Sequence, residues 1–189
     1  MRIISGSNKG KKLIMPNDRA TRPLKDMAKE SIFNILTHAN YINFRLKDSK
    51  VLDLFSGIGS FGLECISRGS KFVFFLENYP PVLEILKNNI SNLKYEKKSK
   101  VMAIDAFKIN SKNFDIDQKF QIIFCDPPYK EKKIELLLEN IIEMDILEKN
   151  GVIIIHRKKG DLDKYPRKFK VIDIKSYGLS NFIFGKKSN

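Results

Sequence analysis

The sequence predicts an α/β fold: a seven-stranded, mostly parallel sheet with an antiparallel C-terminal hairpin, preceded by an N-terminal β-hairpin and a helix. Three observations carry this. From Lys50 onward, continuous apolar runs alternate with helical segments, the pattern of parallel strands covered on both faces. A glycine turn, Gly57-Ile58-Gly59, follows the first run. The last two runs, residues 169–174 and 181–184, are separated by too little chain for a crossover helix, so they pair antiparallel.

Residues 1–15 alternate weakly around Ser5-Gly6-Ser7-Asn8-Lys9-Gly10, which predicts a hairpin carrying Arg2, Lys9, Lys11 and Lys12. Pro16-Asn17-Asp18 breaks it. Pro23 biases Arg22 away from helix. Asp26 is placed as the N-cap of a helix to about residue 38, with apolar positions Met27, Ile32, Phe33, Ile35 and Leu36. Strands follow at 51–55, 71–76, 101–104, 120–125 and 151–156. Helices fall at 60–68, at 81–93 with Pro81 in the first turn, and at 132–147. Residues 108–119, polar with scattered apolar positions, read as a surface loop. Residues 1–40 thus form an extension, and 41–189 the main domain.

Composition narrows the function. The chain has 189 residues, enough for one domain, and 42% are hydrophobic, enough for a core. It has no apolar run of about 18 residues and no signal-peptide stretch at Met1-Arg2-Ile3-Ile4. Cys65 and Cys125 are too few for a disulfide framework and lack metal-ligand spacing. A reducing cytoplasm, no metal and no membrane are the expectation. Thirty-five Lys and Arg against 22 Asp and Glu leave a net charge of +13. That favours a nucleic-acid partner over a merely lysine-rich composition.

Gly57, Gly59 and Gly62 form G-x-G-x-x-G directly after a strand, which points to a nucleoside-containing cofactor. Glu77, twenty residues beyond Gly57, is placed to accept from a ribose diol. The glycines alone leave the choice of cofactor open. Asp53, just ahead of them, repels a pyrophosphate but can pair, directly or through water, with an amino group. Asp105 can accept from an adenine amino group. Each alone fits a cap or turn as well. Four carboxylates at successive strand ends, Asp53, Glu77, Asp105 and Asp126, favour a cationic, phosphate-free cofactor, S-adenosylmethionine.

The run Phe120-Gln121-Ile122-Ile123-Phe124-Cys125 ends in Asp126-Pro127-Pro128-Tyr129. Two prolines cannot continue a sheet, so a buried strand stops in a stiff turn with a carboxylate and a ring at its tip. Ligands of open α/β sheets bind at such strand ends. Cys125 is read as packing within the strand rather than as a thiol nucleophile.

Four stretches together resemble a known family. They are Arg2-Ile3-Ile4-Ser5-Gly6 with Gly10-Lys11-Lys12-Leu13; Thr21-Arg22-Pro23 with Asp26, Glu30 and Phe33-Asn34-Ile35-Leu36; Asp53-Leu54-Phe55-Ser56-Gly57-Ile58-Gly59 with Gly62-Leu63-Glu64; and Asp126-Pro127-Pro128-Tyr129. The chain resembles the class I S-adenosylmethionine-dependent methyltransferases of exocyclic amino groups. It looks most like the RsmD-type family, which methylates N2 of one guanine in bacterial small-subunit (16S) ribosomal RNA. The last two stretches are shared with many amino methyltransferases; the first two are more specific.

The resemblance implies a Rossmann-like fold and ribosomal RNA or the assembling small subunit as partner; a monomer is the expectation. The resemblance also implies Asp53, Phe55, Gly57, Gly59, Glu77, Asp105 and Ala106 as cofactor contacts; Arg2, Lys9, Lys11, Lys12, Arg22 and Lys130 are candidate substrate contacts, with a solvated face the alternative for the basic hairpin residues. Thr21-Arg22-Pro23 would fold over cofactor or RNA. Asp126 and the Pro127 carbonyl would each accept one N–H of the amino group and aim its lone pair at the methyl. Pro128 would stiffen the turn and Tyr129 would stack on an unpaired or flipped base. There are departures: Tyr79 and His156-Arg157-Lys158 stand where many members carry acidic residues.

Rival readings are an amino methyltransferase of DNA adenine or cytosine, of another RNA or of a protein amide; an NAD-linked dehydrogenase; and a non-catalytic RNA-binding module. The DNA enzymes usually add a target-recognition domain, for which this length leaves little room. Asp53 and the terminal hairpin disfavour the dehydrogenase, and the intact tetrapeptide the binding module.

Overall fold

The structure is a computed structural model that describes residues 1–16, 26–114, 118–128 and 130–188. The apolar runs form β1 (Lys50–Leu54), β2 (Phe72–Leu76), β3 (Ser99–Met102), β4 (Phe120–Cys125), β5 (Leu147–Lys158), β6 (Phe169–Tyr177) and β7 (Ser180–Lys187). Helices α1 (Asp26–His38), α2 (Ser60–Ser67), α3 (Pro80–Asn92) and α4 (Ile134–Glu143) lie between them or ahead of them. The seven strands make one sheet in the order β3-β2-β1-β4-β5-β7-β6. β1 to β5 pair in parallel, and β7 pairs antiparallel with both β5 and β6. Strand order reverses at β1: β2 and β3 build outward on one side, β4 and β5 on the other. The crevice between β1 and β4 is therefore the topological switch point, where open α/β sheets bind ligands.

Alternation along each strand splits the core between the faces. Val51, Val73, Phe75, Ile122, Phe124, Val152 and Ile154 pack with α1, α2 and α3 on one face. Leu52, Leu54, Phe74, Leu76, Ile123, Cys125, Ile153 and Ile155 pack with α4 on the other. A ladder of rings joins sheet to helices: Phe124 stacks on Phe61 (4.0 Å), Phe61 on Phe33 (5.2 Å), and the Arg68 guanidinium covers Phe33 at 4.4 Å. Ile3, Leu13, Ile32, Phe33 and Leu36 of the N-terminal extension belong to this same core.

Several elements differ from the sequence reading, each for a local reason. The N-terminal hairpin is short: one bridge sets Arg2 opposite Lys12, flanked by bonds from the Ile3, Gly10 and Leu13 amides to the Lys11, Ile3 and Met1 carbonyls. Other amides of the segment bind α2 and α3, which limits the ladder: Ile4 and Ser5 donate to Glu64, Ser7 to the Ser67 carbonyl, and Ile14 to Asn89. In α1, Met27 is 82% exposed and Lys29 takes the buried position instead. β3 ends at Met102, because its pairing with β2 stops at Leu76 and Asp105 begins a 3₁₀ turn at Ala106–Lys108. α4 ends at Glu143, since Leu147 already pairs with Phe120 in the sheet. The segment read as a surface loop holds a further 3₁₀ turn, Ser111–Asn113, and buries Ile109 and Phe114.

Candidate active site

Register places the candidate residues along one edge. Leu54 is level with both Leu76 and Cys125, and Cys125 with Ile155. One residue further, Glu77, Phe55, Asp126 and His156 therefore stand side by side at the carboxyl ends of β2, β1, β4 and β5. Cross-strand bonds continue past the strands: the Glu77 amide donates to the Met102 carbonyl at 3.2 Å, and the Asp126 amide to the Leu54 carbonyl at 3.3 Å.

The three glycines have three different reasons. Gly57 has φ +54°, and a Cβ there would meet nothing within 4 Å. Its backbone borders open space. Gly59, with φ +83°, closes the turn before α2, and a Cβ there would lie 2.5 Å from Leu86 Cδ1 of α3. Gly62 sits in α2 where a Cβ would come within 2.3 Å of the Phe75 ring, so it lets the helix press onto β2. Phe55 also takes a left-handed conformation, φ +59°. Its ring packs on Phe107 at 5.1 Å, beside the buried Ala106.

Glu77 fixes this turn. One carboxylate oxygen accepts from the Gly57 amide at 2.8 Å; the other accepts from the Asn78 and Tyr79 amides at 2.9 and 2.8 Å. Two carboxylate oxygens offer about four acceptor positions, so a hydroxyl donor still finds a place. Asp105 caps its 3₁₀ turn by accepting from the Phe107 amide at 3.0 Å. Asp53 lies beneath the turn, only 1% exposed, and accepts from the Gly62 amide at 2.9 Å. Burial pushes its carboxyl well above the usual range. Asp53 faces α2 because β1 alternates, and in this position it supports the glycine turn from below.

A nucleoside cofactor fits what is there. Gly57 offers a backbone cradle that any side chain would begin to fill. The Ser60 hydroxyl, at the start of α2, is buried and has no hydrogen-bond partner among the described residues. Buried polar atoms almost always have a partner, so this hydroxyl suits a polar ligand over the turn.

The β4 tip is braced by residues whose role the sequence reading missed. His156 Nδ1 lies 2.7 Å from Asp126 Oδ1, and its Nε2 lies 2.8 Å from the Ser180 hydroxyl of β7. The imidazole stacks on Phe182 at 4.6 Å and 12°. Arg157, 4% exposed, donates to the Glu131 carbonyl at 2.9 Å and holds Asp163 through two bonds of 2.7 and 3.0 Å. Its other terminal nitrogen reaches the Pro128 carbonyl at 3.5 Å. The only signal in the sequence was the departure His156-Arg157-Lys158 itself. Pro127 is buried, whereas Pro128 and Lys130 are exposed. Cys125 is buried, and burial raises its thiol pKa, which rules against a ready thiolate.

The basic N-terminal residues are not gathered at this edge. Asn8, beside Lys9, is held by Ser67 and the Leu93 carbonyl. Ser67 is the far end of α2, roughly 10 Å along the helix from the glycine turn at 1.5 Å per residue. Arg2 pairs with Asp26 at 3.4 Å, and Lys9, Lys11 and Lys12 are exposed. Tyr129, Arg22 and the rest of Thr21-Arg22-Pro23 lie outside the described residues. No helix among the described residues is long and apolar enough to cross a membrane.

Comparison with known proteins bears on the family and the fold. The family model for "Conserved hypothetical protein 95" matches residues 1–186. A Bacillus subtilis protein provisionally named rRNA methyltransferase YlbH is 34% identical over 188 residues, covering 99% of each chain. Ribosomal RNA small subunit methyltransferase D of Haemophilus influenzae is 31% identical, over 96% of this chain and 91% of its own. A solved Escherichia coli structure, provisionally named methyltransferase yhhF, superposes with a TM-score of 0.82 at 24% identity, over 100% of this chain and 98% of that one. The sheet order is thus that of a class I methyltransferase, and the chain belongs to the conserved hypothetical protein 95 family, the RsmD-type methyltransferases.

Proposed function

We propose that this enzyme transfers a methyl group from S-adenosylmethionine to the exocyclic N2 amino group of a guanine in 16S ribosomal RNA, naked or in the assembling small subunit. The observation that carries the reading is the adjacency of the two tips at the switch point, where the Asp126 amide is bonded to the last residue of β1. Cofactor turn and acceptor tetrapeptide are neighbours across one strand gap. The names of the relatives, rRNA methyltransferase and small subunit methyltransferase D, support the substrate class.

The cofactor would lie over Gly57 and Gly59, with Glu77 toward its ribose, Asp105 and Ala106 toward its base, and Phe55 against it. When bound, S-adenosylmethionine supplies a methyl group made electrophilic by its sulfonium. The chain must then present a nitrogen lone pair. A guanine amino group is planar, because its lone pair is delocalised into the ring. Asp126 and the Pro127 carbonyl each accept one N–H, which favours a pyramidal nitrogen and aims the lone pair across the strand gap. Asp126 would also take the proton that the nitrogen sheds. Asp53 acts through the turn, holding Gly62 and with it the start of α2. Arg2, Lys9, Lys11, Lys12, Arg22 and Lys130 serve as phosphate contacts, and Tyr129 as the stacking ring.

The test uses labelled methyl donor against naked rRNA, assembled small subunits and DNA, followed by nucleoside analysis. N2-methylguanine in the RNA arms is expected; N6-methyladenine, or label in the DNA arm alone, would overturn the substrate. Calorimetry should show binding of S-adenosylhomocysteine and none of NAD. Asp126→Ala should abolish transfer while leaving that binding close to wild type.

A further inference from the structure

His156 is held more tightly than a core histidine requires. It is 5% exposed, its ring is clamped flat against Phe182, and each ring nitrogen has a hydrogen-bond partner, Asp126 at 2.7 Å and Ser180 at 2.8 Å. The three partners come from three places: the tip of β4, the pairing position opposite His156 on β7, and the first residue of β7. Asp126, by contrast, projects from a strand end, and its side chain is 29% exposed. A carboxylate at a strand tip followed by two prolines has few neighbours to choose its rotamer. From these observations we infer that His156 is a positioning residue for Asp126. Its Nδ1–H occupies Oδ1 and turns the carboxylate so that the second oxygen faces the target amino group. This rests on the amino-methylation reading of Asp126.

The chemistry fixes the direction of the bond. An ionised carboxylate only accepts, so Nδ1 must carry a proton when it meets Asp126. The Ser180 hydroxyl can donate or accept, so it suits Nε2 in either protonation state. Parallel register does the rest: Cys125 and Ile155 are level, which brings the next residues on each strand together without any loop having to fold over. Arg157, one residue on, ties down the same tip from behind through the Glu131 and Pro128 carbonyls. His156 and Arg157, two of the residues at which this chain departs from the family pattern, thus hold the two halves of one turn.

A purely structural histidine would matter for folding and not for turnover, and substitutions separate these. His156→Phe keeps the ring stack on Phe182 and removes the N–H. His156→Asn restores a donor near the Nδ1 position. The full-length protein is assayed on small subunits lacking the modification, for kcat, for KM and for S-adenosylhomocysteine affinity by calorimetry, with circular dichroism to verify the fold. His156→Phe should lower kcat by about 100-fold, the size expected when a reacting group is misplaced by an ångström, with KM and cofactor affinity within about twofold of wild type. His156→Asn should recover most of that loss. If His156→Phe does not fold, His156→Gln replaces it; its amide reaches toward Ser180 rather than Asp126 and should show the same kcat loss. A folded His156→Phe or His156→Gln with wild-type kcat, beside an inactive Asp126→Ala, would sink the positioning role alone, as would an Asn variant no better than Phe. Absence of transfer by the unsubstituted protein would sink the amino-methylation reading, and this inference with it.

Discussion

Glu64 is the buried charged residue of α2 that ties down the N-terminal extension, and its removal should be the most damaging single change outside the proposed catalytic edge. It is fully buried in α2. It accepts from the amides of Ile4 and Ser5 at 2.7 and 2.9 Å and from Arg68 Nε at 2.7 Å, and Lys29 Nζ lies 3.7 Å away. Lys29 is just as buried and donates to the Arg2 carbonyl at 2.9 Å. Burial lowers the Lys29 pKa, and Glu64 opposes that shift. Glu64→Leu strands Lys29 as an unpaired buried cation, a loss of about 3–5 kcal/mol. Two amides also lose their acceptor, at about 1–3 kcal/mol each if they stay buried. The N-terminal strand lies at the surface and can lift toward water, so the two losses overlap rather than add. A net cost of about 4 kcal/mol is expected, a large share of the roughly 5–15 kcal/mol that holds a domain together. Lys29→Met is the contrast. Glu64 keeps Arg68 and both amides, a methionine fills similar volume, and the cost should stay near 1 kcal/mol. Urea unfolding followed by circular dichroism measures both, and hydrogen exchange reads the Ile4 and Ser5 amides directly. Equal costs for the two variants, or a Glu64→Leu protein within 1 kcal/mol of wild type, would refute the assignment of Glu64 as the tie.

Two further contrasts test the site. Gly57→Ala should cost only about 1 kcal/mol of stability, from its left-handed backbone, yet weaken S-adenosylhomocysteine binding by roughly tenfold or more, about 1.4 kcal/mol. Gly62→Ala should do the reverse, losing about 1–3 kcal/mol to overpacking against Phe75 with near-normal affinity; the opposite pattern in calorimetry and urea unfolding would move the ligand away from Gly57. Asp53 has a raised folded-state pKa, chiefly from burial, so its contribution to stability is complete below the ordinary aspartate range and is lost as pH rises through the raised value. Asp53→Asn should therefore unfold at higher urea than wild type at pH 8, with the gap closing at pH 4; a gap that does not change with pH would refute the burial argument.

The sheet was legible because its signals are local. Val51, Leu52 and Leu54 announce a buried strand by themselves, and the prolines after Asp126 end β4 without help from any other segment. Boundaries slipped where a partner elsewhere decides them. Ile104 is apolar enough to extend β3, but Asp105 leaves the sheet to cap a turn, and nothing near it in sequence says so. Leu147 continues the helical periodicity of α4, yet the edge of Phe120 recruits it into β5. Lys29 reads as a surface residue, because only the approach of α2 brings Glu64 to it. These are long-range pairings, and they depend on register and helix docking that no window of sequence contains.

The same distinction sorts the four strand-end carboxylates. Reading them as a series located the edge of the sheet and said nothing about where each side chain points, which is a matter of strand parity. Asp53 shares the parity of Val51 and turns toward α2, where it meets Gly62. Glu77 and Asp105 accept from backbone amides of the turns that follow them. Glu77 accepts from the Gly57 amide as well, so these two carboxylates fix the proposed cofactor wall through Gly57 and Phe107. Asp126 differs in kind. The prolines behind it provide no amide at the next two positions, so it cannot be fixed as Glu77 is, by the turn it begins. Its hold must come from a neighbouring strand, and in this chain the residue level with it on β5 is a histidine. The proline pair that marks the tetrapeptide in sequence is therefore also the reason that its carboxylate depends on His156.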